Sequence, residues 1–96
     1  MIPSFADKTT ADLFREENTR AARAVPREIW RIVQRKLRLL DAAAKLDDLA
    51  ASPGNRLEML KGGQAGRHSI RVNDQFRVTF HWEARDAYEV RVEDYH

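Results

Sequence analysis

The sequence contains no cysteine. That absence excludes disulfides, Cys-ligated zinc, thiol catalysis and iron–sulfur clusters, and it fits a reducing compartment. No apolar run approaches the length of a bilayer span. Met1-Ile2-Pro3-Ser4-Phe5 lacks the basic and then apolar stretch of a secretory signal. A cytoplasmic protein with no membrane association is therefore expected. Proline and glycine are few, at three and four residues, and nothing reads as a linker, a repeat or a low-complexity tract. A chain of 96 residues is expected to form a single domain over residues 1–96. It has enough length for one modest core and too little for a deep cofactor pocket. His68, His81 and His96 lack ligand spacing, so neither a metal site nor a cofactor is expected.

Lysine is also scarce. It stands only at Lys8, Lys36, Lys45 and Lys61, and every other basic residue is arginine. Net charge is only +2, but the charge is unevenly spread. Arg15 to Arg38 holds eight basic residues against Glu16, Glu17 and Glu28. Arg56 to His81 holds five against Glu58 and Asp74, whereas the segment from Trp82 onward is net acidic. Arginine's planar fork binds phosphate bidentately and stacks on bases. The distribution suits a protein that grips a polyanion such as RNA.

Hydrophobic spacing divides the chain. Met1 to Phe5 alternates weakly and reads as a short first strand. Thr9-Thr10-Ala11-Asp12 offers a hydroxyl cap to a short helix that carries Leu13 and Phe14 and fades near Asn18. Pro26 and Glu28 suit the first turn of a second helix. Ile29, Ile32, Val33, Leu37, Leu40 and Ala44 give it an apolar stripe as far as about Leu46. Arg27, Arg31 and Arg35, with Arg38, make a separate basic stripe; such stripes are more often plain solvated faces than binding sites. Ser52-Pro53-Gly54-Asn55 breaks the helical pattern. From Leu57 onward the period is two. Phe76, Val78, Phe80 and Trp82 alternate with Arg77, Thr79 and His81, and Tyr88, Val90 and Val92 alternate with Glu89, Arg91 and Glu93. The short links at Asn73-Asp74-Gln75 and Ala84-Arg85-Asp86-Ala87 imply antiparallel neighbours. The expected class is α+β: a short N-terminal strand, two helices, then an antiparallel meander of three or four strands with the helices on one face.

Parity then predicts a site. If Phe76, Val78 and Phe80 face the helices, Arg77 and His81 face away, and Arg71, Arg91 and Tyr95 share that open face. Aligned arginines repel one another unless a polyanion neutralises them. Metal-free RNA cleavage by the 2′-hydroxyl needs a base, cations for the phosphoryl oxygens, and an acid at the departing 5′-oxygen. Lys61, Arg77, Asp94, Tyr95 and His96 are available for those tasks. Gly62, Gly63 and Gly66 after Lys61 permit close backbone approach, but their spacing is not that of a P-loop.

The segment Pro53-Gly54-Asn55-Arg56-Leu57-Glu58-Met59-Leu60-Lys61-Gly62 leads into Ala65-Gly66-Arg67-His68-Ser69-Ile70-Arg71-Val72-Asn73-Asp74-Gln75-Phe76-Arg77, and the sequence closes on Val92-Glu93-Asp94-Tyr95-His96. Together these resemble the HigB toxins of the RelE/ParE superfamily, also called plasmid-maintenance killer proteins, and most closely their GraT-like members. The resemblance covers nearly the whole chain. It implies a RelE-like fold and a type II toxin that cleaves mRNA in the ribosomal A site. It also implies a helix-turn-helix antitoxin of the HigA or GraA kind, with operator DNA bound only through the toxin–antitoxin complex. By motif match, Lys61 is similar to the family's catalytic lysine and Arg77 to its phosphate-stabilising arginine, and Asp94, Tyr95 and His96 match its terminal catalytic group. Some members carry histidine where Glu58 stands, so that role does not transfer. Arg67, His68 and Arg71, together with the Arg27, Arg31 and Arg35 stripe, are the expected RNA contacts. Which of Asp94 and His96 acts as acid or base stays open. Two other readings remain: a non-enzymatic ParE-like toxin acting on a protein such as gyrase, and a non-catalytic RNA-binding module.

Overall fold

Three short α-helices precede a four-stranded sheet in the computed structural model, which describes residues 1–64 and 66–95. Helix α1 spans Lys8–Phe14. Its cap is Asp7, whose Oδ1 accepts from the Thr10 amide at 2.8 Å. The Thr9 hydroxyl, expected as the cap, instead donates to the Ala21 carbonyl at 2.8 Å. An aspartate satisfies an orphan helix-start amide as well as a hydroxyl does, so either residue was a valid start and tertiary context chose Asp7. The chain then passes through single 3-10 turns to helix α2, Trp30–Ala42. Pro26 precedes the turn at Arg27–Ile29, and the α-helical geometry begins only at Trp30.

Helix α2 ends sooner than its apolar spacing predicts. A separate helix α3, Leu46–Ala50, follows. The Asp48 carboxylate makes the break by accepting from the amides of Ala44 and Lys45, at 2.9 and 3.2 Å. As a result Ala43, and not Ala44, is buried.

The sheet runs β1 Glu58–Met59, β2 Arg67–Arg71, β3 Phe76–Glu83 and β4 Asp86–Asp94. Its order is β1-β2-β3-β4, with every pair antiparallel. This is the predicted meander. Ile70, Val78, Phe80, Ala87 and Val90 from the sheet meet Leu13 of α1 and Val33, Leu37 and Leu40 of α2 in one core, all fully buried.

The expected first strand does not form as a strand. Met1 to Ala6 runs beside β4 but makes one strand-type bridge, Phe5 to Val90, and that bridge is parallel. Pro3 has no amide proton to give a ladder. β4 is also bulged there. Its register with β3 shifts between Thr79 and His81, and Glu89 takes a positive φ of 50°. The extra residue is fully accommodated. The Glu89 amide donates to Ser4 Oγ at 2.9 Å, and its carbonyl accepts from Arg67 Nη2 at 2.8 Å. Val90 exchanges bonds with Ser4 and Ala6. The bulge overturns one parity expectation. Tyr88 does not share a face with Val90; it lies on the open face opposite His81, ring centroids 6.5 Å apart.

One buried acid anchors the N-terminal layer. Asp12 is almost wholly buried and accepts from Lys8 Nζ at 2.5 Å and Thr19 Oγ1 at 2.6 Å. Those two bonds, Lys8 first, hold its pKa below the ordinary 3.8 against the opposing effect of burial. A carboxyl with a lowered folded pKa adds stability that is complete above its unfolded pKa and is lost as pH falls through the folded one. Thermal melts of the wild type are therefore expected to fall as pH drops below about 3.8. Asp12→Asn should be less stable at neutral pH and should show a shallower acid dependence.

Candidate functional site

The antiparallel register places Arg71 directly opposite Arg77, and Arg77 opposite Glu93. Residues that face each other across strands lie on the same side of the sheet. Arg91 is on that side too, opposite Thr79. The predicted alignment of arginines from β2, β3 and β4 is thus present. Two like charges side by side destabilise a sheet unless something answers them. Here Arg71 is bound by Asp74. Arg77 donates to the Arg56 carbonyl at 2.7 Å and lies 3.7 Å from Glu58. Arg91 turns aside to Asp7 at 3.6 Å.

Arg77 is the most enclosed of these, with its side chain only 13% exposed. Its Nε is buried and has no hydrogen-bond partner among the described residues. A guanidinium held this way keeps donor capacity in reserve. It borders a cleft of about 170 Å³ lined by Arg56, Arg71, Asn73, Asp74, Arg77 and Tyr95. The cleft is built locally. Asn73 Oδ1 accepts from the amides of Gln75 and Phe76, at 2.8 and 2.7 Å, and so tightens the β2–β3 turn into a rim. The Tyr95 amide donates to the Gln75 carbonyl, which carries the ladder one residue past β4 and docks Tyr95 beside Arg77.

Sequence reasoning missed Arg56 as a site residue. It follows the Pro53–Asn55 turn with φ 44°, a left-handed conformation. The loop is pinned from below, because the buried Lys36 ammonium donates to Asn55 Oδ1 and Asn55 Nδ2 donates to the Leu49 carbonyl at 3.0 Å. Burial, and then the charges of Arg35 and Arg71, push the Lys36 pKa down from 10.5. The available signal was a lone arginine directly after the strongest breaker in the chain.

The remaining predicted residues are not all in the cleft. Lys61 is exposed and lies past β1. The neighbouring Leu60 amide donates to the Arg67 carbonyl, and Arg67 is four residues along β2 from Arg71. At roughly 3.3 Å per residue, about 13 Å of strand separates Lys61's end of the sheet from Arg77's. Asp94 pairs with Phe76 and so takes the side opposite Tyr95's; Gln75 Nε2 donates to it at 3.1 Å. His96 lies outside the described residues. Arg67 crosses the open face to donate to Thr79 Oγ1 at 3.0 Å and to the Glu89 carbonyl. His68 falls on the helix side, stacked on Phe80 with ring centroids 5.9 Å apart. Burial, and then His81, lower its pKa below 6.5. At neutral pH it is uncharged and offers phosphate no cation. Arg27, Arg31 and Arg35 are exposed on or just before α2, and Arg27 lies 4.9 Å over the Trp30 ring. They do not line the cleft.

The family described as RelE-like toxin of type II toxin-antitoxin system HigB has a model that matches residues 3–96. The chain belongs to this family. Among its HigB relatives, "Toxin HigB-1" of Vibrio cholerae serotype O1 is 42% identical over 82 residues, covering 85% of this chain and 84% of the relative. "Endoribonuclease HigB" of Proteus vulgaris is 35% identical over 96 residues and the whole length of both chains. As a HigB-type toxin of a type II system, the protein has an antitoxin partner. No helix among the described residues is long and apolar enough to cross a membrane. No group of three or more His, Asp or Glu among them is arranged to hold a metal ion.

Proposed function

We propose that this HigB-type toxin is an endoribonuclease that cuts mRNA on the ribosome through 2′-hydroxyl attack on the adjacent phosphorus. The observation that carries the reading is the cleft itself: Arg56, Arg71 and Arg77 meet Tyr95 around one opening. That set gives several phosphate-binding cations beside an aromatic ring that can stack on a base. Arg77 and Arg71 neutralise the phosphoryl oxygens as charge builds on them. Tyr95 orients the nucleotide by stacking. Lys61, exposed beyond the end of β1, holds a neighbouring phosphate or the departing strand. The proton-transfer group at the tail is Asp94 or His96. Asp94's place on the opposite side of β4 favours a role in fixing the tail. The endoribonuclease named in Proteus vulgaris supports the reaction class.

Few strong bases surround the cleft, which suits an enzyme that leaves positioning of its substrate to the ribosome. Arg67 and the exposed Arg27, Arg31 and Arg35 contact mRNA or ribosomal RNA through backbone phosphate. The whole of residues 1–96 acts as one toxin domain. Its antitoxin is a helix-turn-helix protein, and the pair together binds operator DNA. Primer extension on mRNA in a translating extract tests the reading. Cuts are expected in translated message and few in free RNA. An intact message alongside DNA damage would instead indicate a protein target.

A further inference from the structure

The open face of the sheet holds aromatic rings at both ends. Tyr95 borders the arginine cleft at one end. At the other, His81 of β3 stands directly opposite Tyr88 of β4 and directly opposite Arg67 of β2. One row across three strands thus reads arginine, histidine, tyrosine. The two rings lie 6.5 Å apart at an interplanar angle of 51°. The His81 side chain is 46% exposed, and Tyr88 is half-buried. Cross-strand rings steady a sheet wherever they occur, but this pair lies on the solvent side, away from the core that takes Phe80 and Val90. β4 leaves its regular pleat to put Tyr88 there. The bulge at Glu89, with its positive φ of 50°, places Tyr88 and Val90 on opposite sides.

The charges around the row narrow what it can hold. Glu83 stands 3.5 Å from His81, Asp86 stands 3.6 Å from the N-terminal amine, and Glu89 beside Tyr88 is exposed. An acidic end repels phosphate, so the rings suit an uncharged nucleobase. Arg67 reaches from this row toward the cleft, where its Nη2 donates to Thr79 Oγ1 and the Glu89 carbonyl. It sets a fixed cation between the rings and Arg77. Four residues of β3, about 13 Å, separate His81 from Arg77. We infer that His81 and Tyr88 form a second nucleobase-binding site, on which a base of the message flanking the cut stacks, while Arg67 holds the phosphate leading to it. The site rests on the endonuclease reading above and extends it along the strand. Every base has a π-face, so such stacking tolerates sequence. The site therefore supplies grip and register: one base held on the rings fixes which phosphate lies on Arg77.

The experiment uses purified, programmed ribosomes carrying messages with one abasic nucleotide at successive positions on either side of the cut. Toxin affinity and single-turnover cleavage are measured for each. Wild type should lose affinity about 5- to 100-fold at one flanking position, the usual worth of one stacked base. Y88L keeps apolar bulk and removes the ring face, and H81A removes the other ring. Each should weaken binding of the intact message by a similar factor, with most of the loss in affinity and little in the rate at saturation. Y88F should recover most of the affinity. The coupling is decisive: the abasic position that costs wild type most should cost Y88L and H81A little more. Circular dichroism melts check the fold, and if Y88L unfolds, the exposed H81A carries the test alone. Wild type with no sensitive flanking position overturns the site. So does an abasic cost that stays full-sized in the variants, which would assign the rings to ribosomal RNA, to protein or to the sheet alone. A message with a single 2′-deoxyribose at the cut separates the two layers, since wild type must bind it and leave it whole. Cutting of that message, or of none, sinks the endonuclease reading, whereas the base site stands or falls on the binding coupling.

Discussion

Arg77→Ala is expected to slow mRNA cleavage in a translating extract by about 10²- to 10³-fold, the usual cost of removing one preorganised donor from a developing oxyanion. Three features of Arg77 support that magnitude. Its side chain is largely enclosed, its position is fixed by the Arg56 carbonyl and Glu58, and its Nε is buried with no hydrogen-bond partner among the described residues. Enclosure strengthens each charge interaction relative to water. Fixation means that little rearrangement is needed when phosphate arrives. Arg77→Lys should fall between alanine and wild type, because it retains the charge and loses the fork. Growth arrest on expression should weaken in the same order. Circular dichroism melts provide the control, since an equal rate loss in a variant that has simply unfolded would say nothing about phosphate. A folded Arg77→Ala protein that cuts at the wild-type rate would remove Arg77 from the mechanism.

The largest effect on stability is expected at Phe80. It is fully buried at the centre of β3, stacked on His68, with Trp82 edge-on at 6.3 Å. Phe80→Ala should cost about 3–5 kcal/mol through lost burial and the cavity left behind. Domains of this size have only about 5–15 kcal/mol in total. Urea denaturation should show the midpoint falling sharply. Phe80→Leu should fall much less, because it conserves most of the volume. The same substitution reaches the functional face indirectly. Phe80 sits between Thr79 and His81, so slackening β3 there loosens the strand that carries Arg77.

Much of this was legible in the sequence. Period-two spacing in Phe76 to Trp82 assigned the faces of β3 correctly, and with them the shared side of Arg71, Arg77 and Arg91. The apolar spacing of Val33, Leu37 and Leu40 identified the buried side of α2. What escaped were features that the apolar spacing does not encode. Thr9 read as the helix start, and only the folded chain gives its hydroxyl to Ala21 and the cap to Asp7. The end of α2 depends on Asp48 capping a helix that the spacing does not reveal. The distance between Lys61 and Arg77 is a consequence of strand register, which the β1–β2 loop leaves unspecified. Arg56 entered the cleft through a left-handed turn at a non-glycine residue, which no composition rule announces. Tyr88 was misplaced because Glu89 forms its bulge without glycine, so the strand pattern looks unbroken.

That bulge also acts as a phase setter. The two-residue Ala84-Arg85 turn fixes the start of β4, with Glu83 opposite Asp86, while the tail's useful residues lie beyond the bulge. The extra residue at Glu89 advances the strand by half a period, and only then do Arg91, Glu93 and Tyr95 come onto the same side as Arg77. Flattening the bulge, so that Glu89 paired as an ordinary strand residue, would leave the composition of the site untouched and invert it, sending Tyr95 toward the helices and Val90 and Val92 into water. Ser4, Ala6 and Arg67, which bond to Glu89 and Val90, therefore hold the timing of the strand. A change at Ser4, far from the cleft in sequence, would act on the cleft by letting that offset slip.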